Sequence, residues 1–328
     1  MADETLRIYV ENSRERDPAY RITEEAVRRA LSPVALPAII DVRYGDERDE
    51  RAIRAAHVFV AGRLDMGMLS AWGERLRIVH CTSAGVESYM PLDWLPPGAV
   101  LTNSSGVHAA KAGEFGLLAV LMLHQGIPAY ATLQRQHRWQ RSLSSTIAGR
   151  KVLLYGVGAL GGAVAERLRP LGLDIVGVRR SGEPHPAVGR TIRPDRLADE
   201  LADTDFLILA CPLTPETKGA IGRAELAALK PGASVVNMAR AAVMDYDALA
   251  GLLVERHLSG AILDVFDREP LPETSPLWDV PNLFITPHVS ADDPHGYVDR
   301  CLAILAENLA RQADGLPLRN VVDGRHGY

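Results

Sequence analysis

Three polar residues stand where apolar runs of the sequence end: Arg240 after VVNMA, Glu269 in LDVFDREP, and His288 in LFITPHVS. An arginine, a carboxylate and a histidine make chemical sense together when the substrate is a 2-oxo acid. Arginine can hold a carboxylate or polarise a carbonyl, histidine can protonate the carbonyl oxygen while a hydride reaches the carbon, and the carboxylate favours the protonated histidine. Each also has a structural reading when taken singly. His288 follows a proline in a loop, Glu269 precedes Pro270 in a turn, and the neighbouring Asp264 can satisfy backbone N–H groups at a strand end.

A hydride needs a carrier, and the spacing of glycines points to a dinucleotide. After KVLLY comes Gly156-Val157-Gly158-Ala159-Leu160-Gly161, then an apolar helical pattern through Ala165 and Leu168. In this arrangement Gly156 makes the tight turn, Gly158 lets backbone approach a pyrophosphate, and Gly161 lets helix and strand pack closely; the helix N-terminus presents free N–H groups to the phosphates. Three glycines alone are a weak signal; the strand before, the helix after and a second strand at the right distance make it specific. That second strand, LDIVGV, ends at Arg179, Arg180 and Ser181 instead of the carboxylate that would grip a ribose 2′-hydroxyl. Guanidinium forks and a hydroxyl suit a 2′-phosphate, so NADP(H) is expected ahead of NAD(H).

The elements that must position these residues are short apolar runs alternating with helical patterns. LRIYV, AIIDV, VFVAG and RIVHCTS precede a breaker-rich stretch, MPLDWLPPG, and a second alternation runs through KVLLYGVG, LDIVGV, FLILAC, ASVVNM, AILDVF and LFITP. The expected class is α/β, with two open parallel sheets. Long helical patterns are expected over residues 109–125 and 295–313. The 328 residues suffice for two domains.

The segments GVGALG, CPLTPET, VNMARAAVMD, LDVFDREPLP and TPHVS together resemble the D-isomer-specific 2-hydroxyacid dehydrogenase family over nearly the whole chain. VHCTSAGVESY, LTNSSGVHAAKAGE and VRRSGEP look like its NADP-using haloarchaeal members and the related glyoxylate/hydroxypyruvate reductases. The resemblance implies that Arg240 and His288 bind substrate, that His288 is the acid/base, and that Glu269 is its partner. Ala84 and Gly85, in the loop 82–86, would offer backbone N–H groups to the substrate carboxylate. Around the coenzyme it implies Gly156, Gly158, Ala159, Leu160, Gly161, Arg179, Arg180, Ser181, Cys211, Pro212, Thr217, Met238, Ala239, Asp264, His288 and Ser290. It further implies a Rossmann coenzyme domain, residues 102–292, inserted into a flavodoxin-like substrate domain, residues 1–101 plus 293–328. Substrate would lie in the cleft between them, and a helical arm over residues 113–139 would build a homodimer.

The family's usual Arg-Gly is replaced by Arg240-Ala241. If that position needs positive φ, Ala241 strains the loop and shifts substrate geometry. The expected activity is NADPH-preferring reduction of glyoxylate, hydroxypyruvate, pyruvate or larger 2-oxo acids to D-2-hydroxy acids. The alternatives are an NADP(H)-sensing binding protein or corepressor on the same scaffold, and a phosphoglycerate, formate or phosphite dehydrogenase. Phosphoglycerate would want basic groups near the substrate loop, where Arg63 is a candidate, and formate enzymes carry glutamine in place of Glu269.

A net charge of −5 with scattered Lys and Arg gives no footprint for nucleic acid. No apolar run is long enough for a bilayer, and MADETLRIYV lacks a basic n-region, so the expectation is a cytoplasmic protein. Cys81, Cys211 and Cys301 have neither disulfide-framework nor zinc spacing and are expected to be buried; no metal is expected, and His108, His124 and His137 are expected to be structural or surface residues. Trp139 is expected either to reach a substrate pocket or to pack in the dimer arm.

Overall fold

Two separate parallel sheets gather the apolar runs. The computed structural model describes residues 5–34 and 36–325. The chain divides into unit 1, residues 1–107 with 293–328, and unit 2, residues 108–292.

Unit 1 holds β1 (Leu6–Asn12), β2 (Ala38–Tyr44), β3 (Val58–Ala61), β4 (Ile78–Cys81) and β5 (Val100–Asn103), all parallel and ordered β2-β1-β3-β4-β5. This is the flavodoxin-like order. Its central strands β3 and β4 are buried along their length, as a parallel sheet covered on both faces requires. The helices α1 (Glu24–Leu31), α2 (Glu50–Ala55) and α3 (Met66–Trp72) begin where Thr23, Asp49 and Asp65 accept a backbone N–H three residues on, the usual N-cap. The helix Tyr297–Ala313 packs Leu302, Leu305 and Leu309 against Val27 and Leu31 of α1. Because Thr102 and Asn103 share a ladder with His80 and Cys81, residues 102–107 belong to this unit and not to the coenzyme unit.

Unit 2 begins with α4 (Ala109–His124) and α5 (Ile127–Arg135), separated at Gly126, whose φ of 69° ends one helix and caps the next. Then come β6 (Lys151–Tyr155), α6 (Ala159–Leu168), β7 (Asp174–Val178), β8 (Arg190–Ile192), α7 (Ala198–Leu201), β9 (Phe206–Leu209), α8 (Arg223–Ala228), β10 (Ser234–Asn237), α9 (Tyr246–Val254), β11 (Gly260–Leu263) and β12 (Leu283–Ile285). Seven parallel strands run β12-β11-β10-β9-β6-β7-β8. This is the doubly wound Rossmann order with one strand added, and its order reverses between β6 and β9, where ligands bind in such sheets. Among the described residues no single helix is long and apolar enough to cross a membrane.

Candidate active site and coenzyme cradle

β6 is buried along its length and ends at Gly156, whose φ is 100°. A Cβ on Gly156 would lie 2.5 Å from the Cys211 backbone nitrogen, and one on Gly161 would lie 2.0 Å from the Gly156 carbonyl oxygen. Those two glycines are demanded by the chain's own packing. Gly158 differs: it caps α6, and a Cβ there would meet no atom within 4 Å. Free helix N–H groups beside open space fit a dinucleotide pyrophosphate.

At the end of β7, Arg179 is half-buried and its Nη1 donates only weakly, at 3.4 Å, to the Glu183 carbonyl; Arg180 is exposed. Ser181 Oγ accepts the Glu183 N–H at 3.2 Å. His185, which the motif did not single out, lies beside α6: its ring would be 3.0 Å from a Cβ on Gly162. Burial first, then the Arg179 charge, hold its imidazole below the usual histidine range.

Across the switch point, Cys211 is buried and its thiol is pushed up to about 12 by desolvation. Thr217 Oγ1 donates to the Pro212 carbonyl at 2.8 Å and accepts the Thr214 N–H at 2.8 Å, so its hydroxyl locks the turn 212–217. Met238 and Ala239 are buried at the end of β10. The turn bearing Arg240 is shaped by the fully buried Asn237, whose Nδ2 donates to the Arg240 carbonyl at 3.1 Å and to Tyr246 Oη at 3.0 Å, and whose Oδ1 accepts the Ala239 N–H. Tyr246 donates in turn to the Val265 carbonyl at 2.7 Å. The strain expected at Ala241 is absent: it opens a 3-10 turn, Ala241–Val243, and is not among the residues with positive φ.

Among the three candidate catalytic residues and Ala241, positive φ falls instead on His288, at 55°. A non-glycine residue in the left-handed region persists only when its surroundings over-determine it, and here they do. Asp264, with 0% exposure, accepts Thr286 Oγ1 at 2.5 Å, Val289 N at 2.9 Å and Ser290 N at 2.9 Å, gripping the loop on both sides of the histidine. His288 Nδ1 stands 2.7 Å from Glu269 Oε2, while Glu269 Oε1 accepts the Phe266 N–H at 2.9 Å. Both carboxylate oxygens are engaged, so Glu269 is fixed and Nδ1 carries its proton toward it. With Nδ1 committed, Nε2 is the ring nitrogen left for proton exchange with a ligand. A polarised, fixed histidine at the same sheet edge as a dinucleotide cradle is equipped for acid/base work beside a hydride carrier.

Ala84 and Gly85 lie in unit 1 in the segment after β4, where Asn103 Nδ2 donates to the Ala84 carbonyl at 2.9 Å. The arm over residues 113–139 is not one helix but α4, α5 and the residues that follow them, and Trp139 is 100% exposed. His108 Nδ1 lies 2.8 Å from the Ala291 carbonyl oxygen and His124 Nε2 lies 2.8 Å from that of Ser145. The three cysteines are free and buried, as their spacing led us to expect.

The family model for the "D-isomer specific 2-hydroxyacid dehydrogenase, NAD binding domain" matches residues 117–290, more than half of the chain. The chain belongs to this family. D-3-phosphoglycerate dehydrogenase of Mycobacterium tuberculosis is 32% identical over 291 residues, covering 85% of this chain and 54% of that protein, so the chain spans about half the length of that relative. Glyoxylate/hydroxypyruvate reductase A of Klebsiella pneumoniae is 34% identical over 266 residues, 78% of this chain and 83% of that protein. Among solved structures, a D-isomer specific 2-hydroxyacid dehydrogenase of Xanthobacter autotrophicus Py2 in complex with NADPH and MES is 30% identical with a TM-score of 0.82, covering 99% of both chains. These relatives are bacterial and lend no support to the haloarchaeal side of the resemblance.

Proposed function

We propose that the protein is an NADPH-preferring reductase of small 2-oxo acids, glyoxylate, hydroxypyruvate and pyruvate among them, that forms 2-hydroxy acids, of D configuration where C2 is a stereocentre. The observation that carries this reading is the 2.7 Å pair of Glu269 and His288 on a loop whose strained backbone is clamped by Asp264. When bound, the coenzyme supplies the hydride. His288 donates its Nε2 proton to the carbonyl oxygen, Glu269 keeps the imidazolium oriented and charged, and Arg240 holds the carboxylate, with backbone N–H groups of Ala84 and Gly85 adding to it. Arg179, Arg180 and Ser181 would take the 2′-phosphate; the NADPH complex of the Xanthobacter relative supports this preference.

The exposed Leu118, Ile127 and Trp139 on the arm, with Leu143 just beyond it, support a homodimer formed through unit 2. Three buried, unbridged cysteines support a reducing, cytoplasmic setting. Cofactor oxidation by the purified protein tests the reading, with NADPH and NADH compared on a panel of 2-oxo acids. NADPH turnover well ahead of NADH is expected. NADH leading would overturn the assignment of Arg179 and Arg180, and cofactor binding with no turnover of any 2-oxo acid would favour a cofactor-sensing protein.

A further inference from the structure

At the C-terminal edge of the unit 1 sheet lies a pocket of about 910 Å³, far larger than a two- or three-carbon acid requires. Five arginines line it, and two of them are already neutralised. Arg48 is bonded to Glu11 at 2.6 Å and to Asp65 at 2.8 Å, and Arg14 to Asp46 at 2.9 Å. Arg16, Arg21 and Arg63 have no carboxylate within 4.0 Å among the described residues, and the one other acidic residue of the lining, Glu15, leaves the pocket net positive.

Arg16 is the most built of the three. It is half-buried, its guanidinium stands 4.6 Å from the Tyr20 ring centroid and 5.4 Å from that of Tyr297, and its polar neighbours are hydroxyls, Thr82 Oγ1 at 3.5 Å and Tyr297 Oη at 3.4 Å. Gly62 makes room for it, since a Cβ there would fall 2.0 Å from Arg16 Nη1. An aromatic seat fixes the guanidinium plane while leaving donors for a carboxylate or phosphate, the anions whose geometry that fork matches. Thr82 also opens the loop 82–86, to which the proposed function assigns the substrate's own carboxylate, and its carbonyl is tied down by Tyr297 Oη and by Cys301 Sγ at 3.6 Å.

We propose that this pocket is a subsite for a second anionic group of the substrate, held by Arg16 with Arg63, so that the preferred substrates are 2-oxo acids bearing a further carboxylate or a phosphate. The inference rests on the 2-oxo acid reductase reading above and narrows it to a substrate class. Wild-type full-length protein is assayed on oxaloacetate, 2-oxoglutarate and 3-phosphohydroxypyruvate against pyruvate and 2-oxobutyrate. The best acid with a second anionic group should exceed the best monoanionic one in kcat/KM by about tenfold or more, and which of the three leads distinguishes carboxylate from phosphate. In Arg16→Gln and in Arg63→Gln that ratio should fall about tenfold, as loss of a charge-assisted bond predicts, with partial recovery in Arg16→Lys. Arg196→Gln, on the exposed surface of unit 2, should leave the ratio unchanged. A ratio does not depend on the fraction of protein folded, so a destabilised variant still reports. Monoanionic acids leading in the wild type, or an unmoved ratio in both arginine variants, would overturn the subsite while leaving the reductase standing; no turnover of any 2-oxo acid would overturn both.

Discussion

Glu269 and Asp264 are both carboxylates bonded to the His288 loop or ring, yet their surroundings give them separate tasks. Glu269 is partly exposed and its charge faces the ring, whereas Asp264 is buried and spends its oxygens on two backbone N–H groups and a hydroxyl. Glu269→Gln removes the charge 2.7 Å from Nδ1, so the imidazolium loses support. The expected result is a drop in the reduction kcat of about 10²-fold with little change in KM. Asp264→Asn instead aims an amide NH2 at backbone donors, and is expected to lower stability by about 2–4 kcal/mol. Urea unfolding and the kinetics of NADPH oxidation separate the two, and an unchanged kcat in Glu269→Gln would strip that residue of its role. Glu269 and His288, which the fold brings to 2.7 Å, could be singled out in the sequence because polar residues at the ends of apolar runs are unusual enough to notice, and Arg240 was singled out on the same ground. The grip of Asp264, and the way Asn237 and Tyr246 brace the Arg240 turn, depend on convergence of β10, α9 and the segment after β11, which no spacing along the chain records.

Most strands of both sheets were readable because a parallel sheet buries both faces and so demands unbroken apolar runs; β5 and the three-residue edge strand β8, with its exposed Arg190, were not. Helix starts at Thr23 and Asp245 carry a capping residue whose side chain accepts a backbone N–H three residues on, a signal that the sequence reading left unused. The end of α4 was readable too, since the expected pattern stops at 125, just before Gly126; the separate helix α5, which starts from the left-handed backbone at Gly126, was not. The turn between β6 and α6 shows how one motif mixes two demands. Gly161→Ala would drive a Cβ to 2.0 Å from the Gly156 carbonyl, a clash between backbone-borne atoms that side-chain movement cannot relieve. Gly158→Ala meets no protein atom, so the fold should accept it while the added methyl occupies the space a pyrophosphate needs. Thermal unfolding with NADPH titration is therefore expected to show a lowered Tm for Gly161→Ala, and for Gly158→Ala a Tm near wild type with NADPH affinity reduced at least tenfold. Undiminished affinity in Gly158→Ala would remove the pyrophosphate from this turn.

Two units with separate cores carry different buried charges, and they should answer acid differently. In unit 1, His80 is fully buried, 2.9 Å from Thr102 Oγ1 and 3.4 Å from Ser104 Oγ, and desolvation pushes its pKa down to about 4 against a weaker opposing bond from the backbone at Cys301. The unfolded chain binds that proton near pH 6.5, the folded chain only near 4. Stability is thus intact above about 6.5 and lost as pH falls through the interval, by about 2 kcal/mol at pH 5. Unit 2 holds Glu200 against Arg190 at 2.6 Å and Lys151 at 2.8 Å, and the Arg190 bond above all lowers its carboxyl to about 2. Its contribution is present above the ordinary carboxylate pKa and lost only as pH falls from about 4.5 toward 2. His185 in unit 2 shifts in the same direction as His80 but is partly solvated, which leaves it a smaller share. Hydrogen exchange read strand by strand should therefore show β3 and β4 losing protection between pH 6.5 and 4.5 while β6 and β9 keep theirs. His80→Asn, which removes the titrating ring, should flatten the unit 1 response over that window, and an equal loss in both units in the wild type would assign the acid sensitivity to something other than His80.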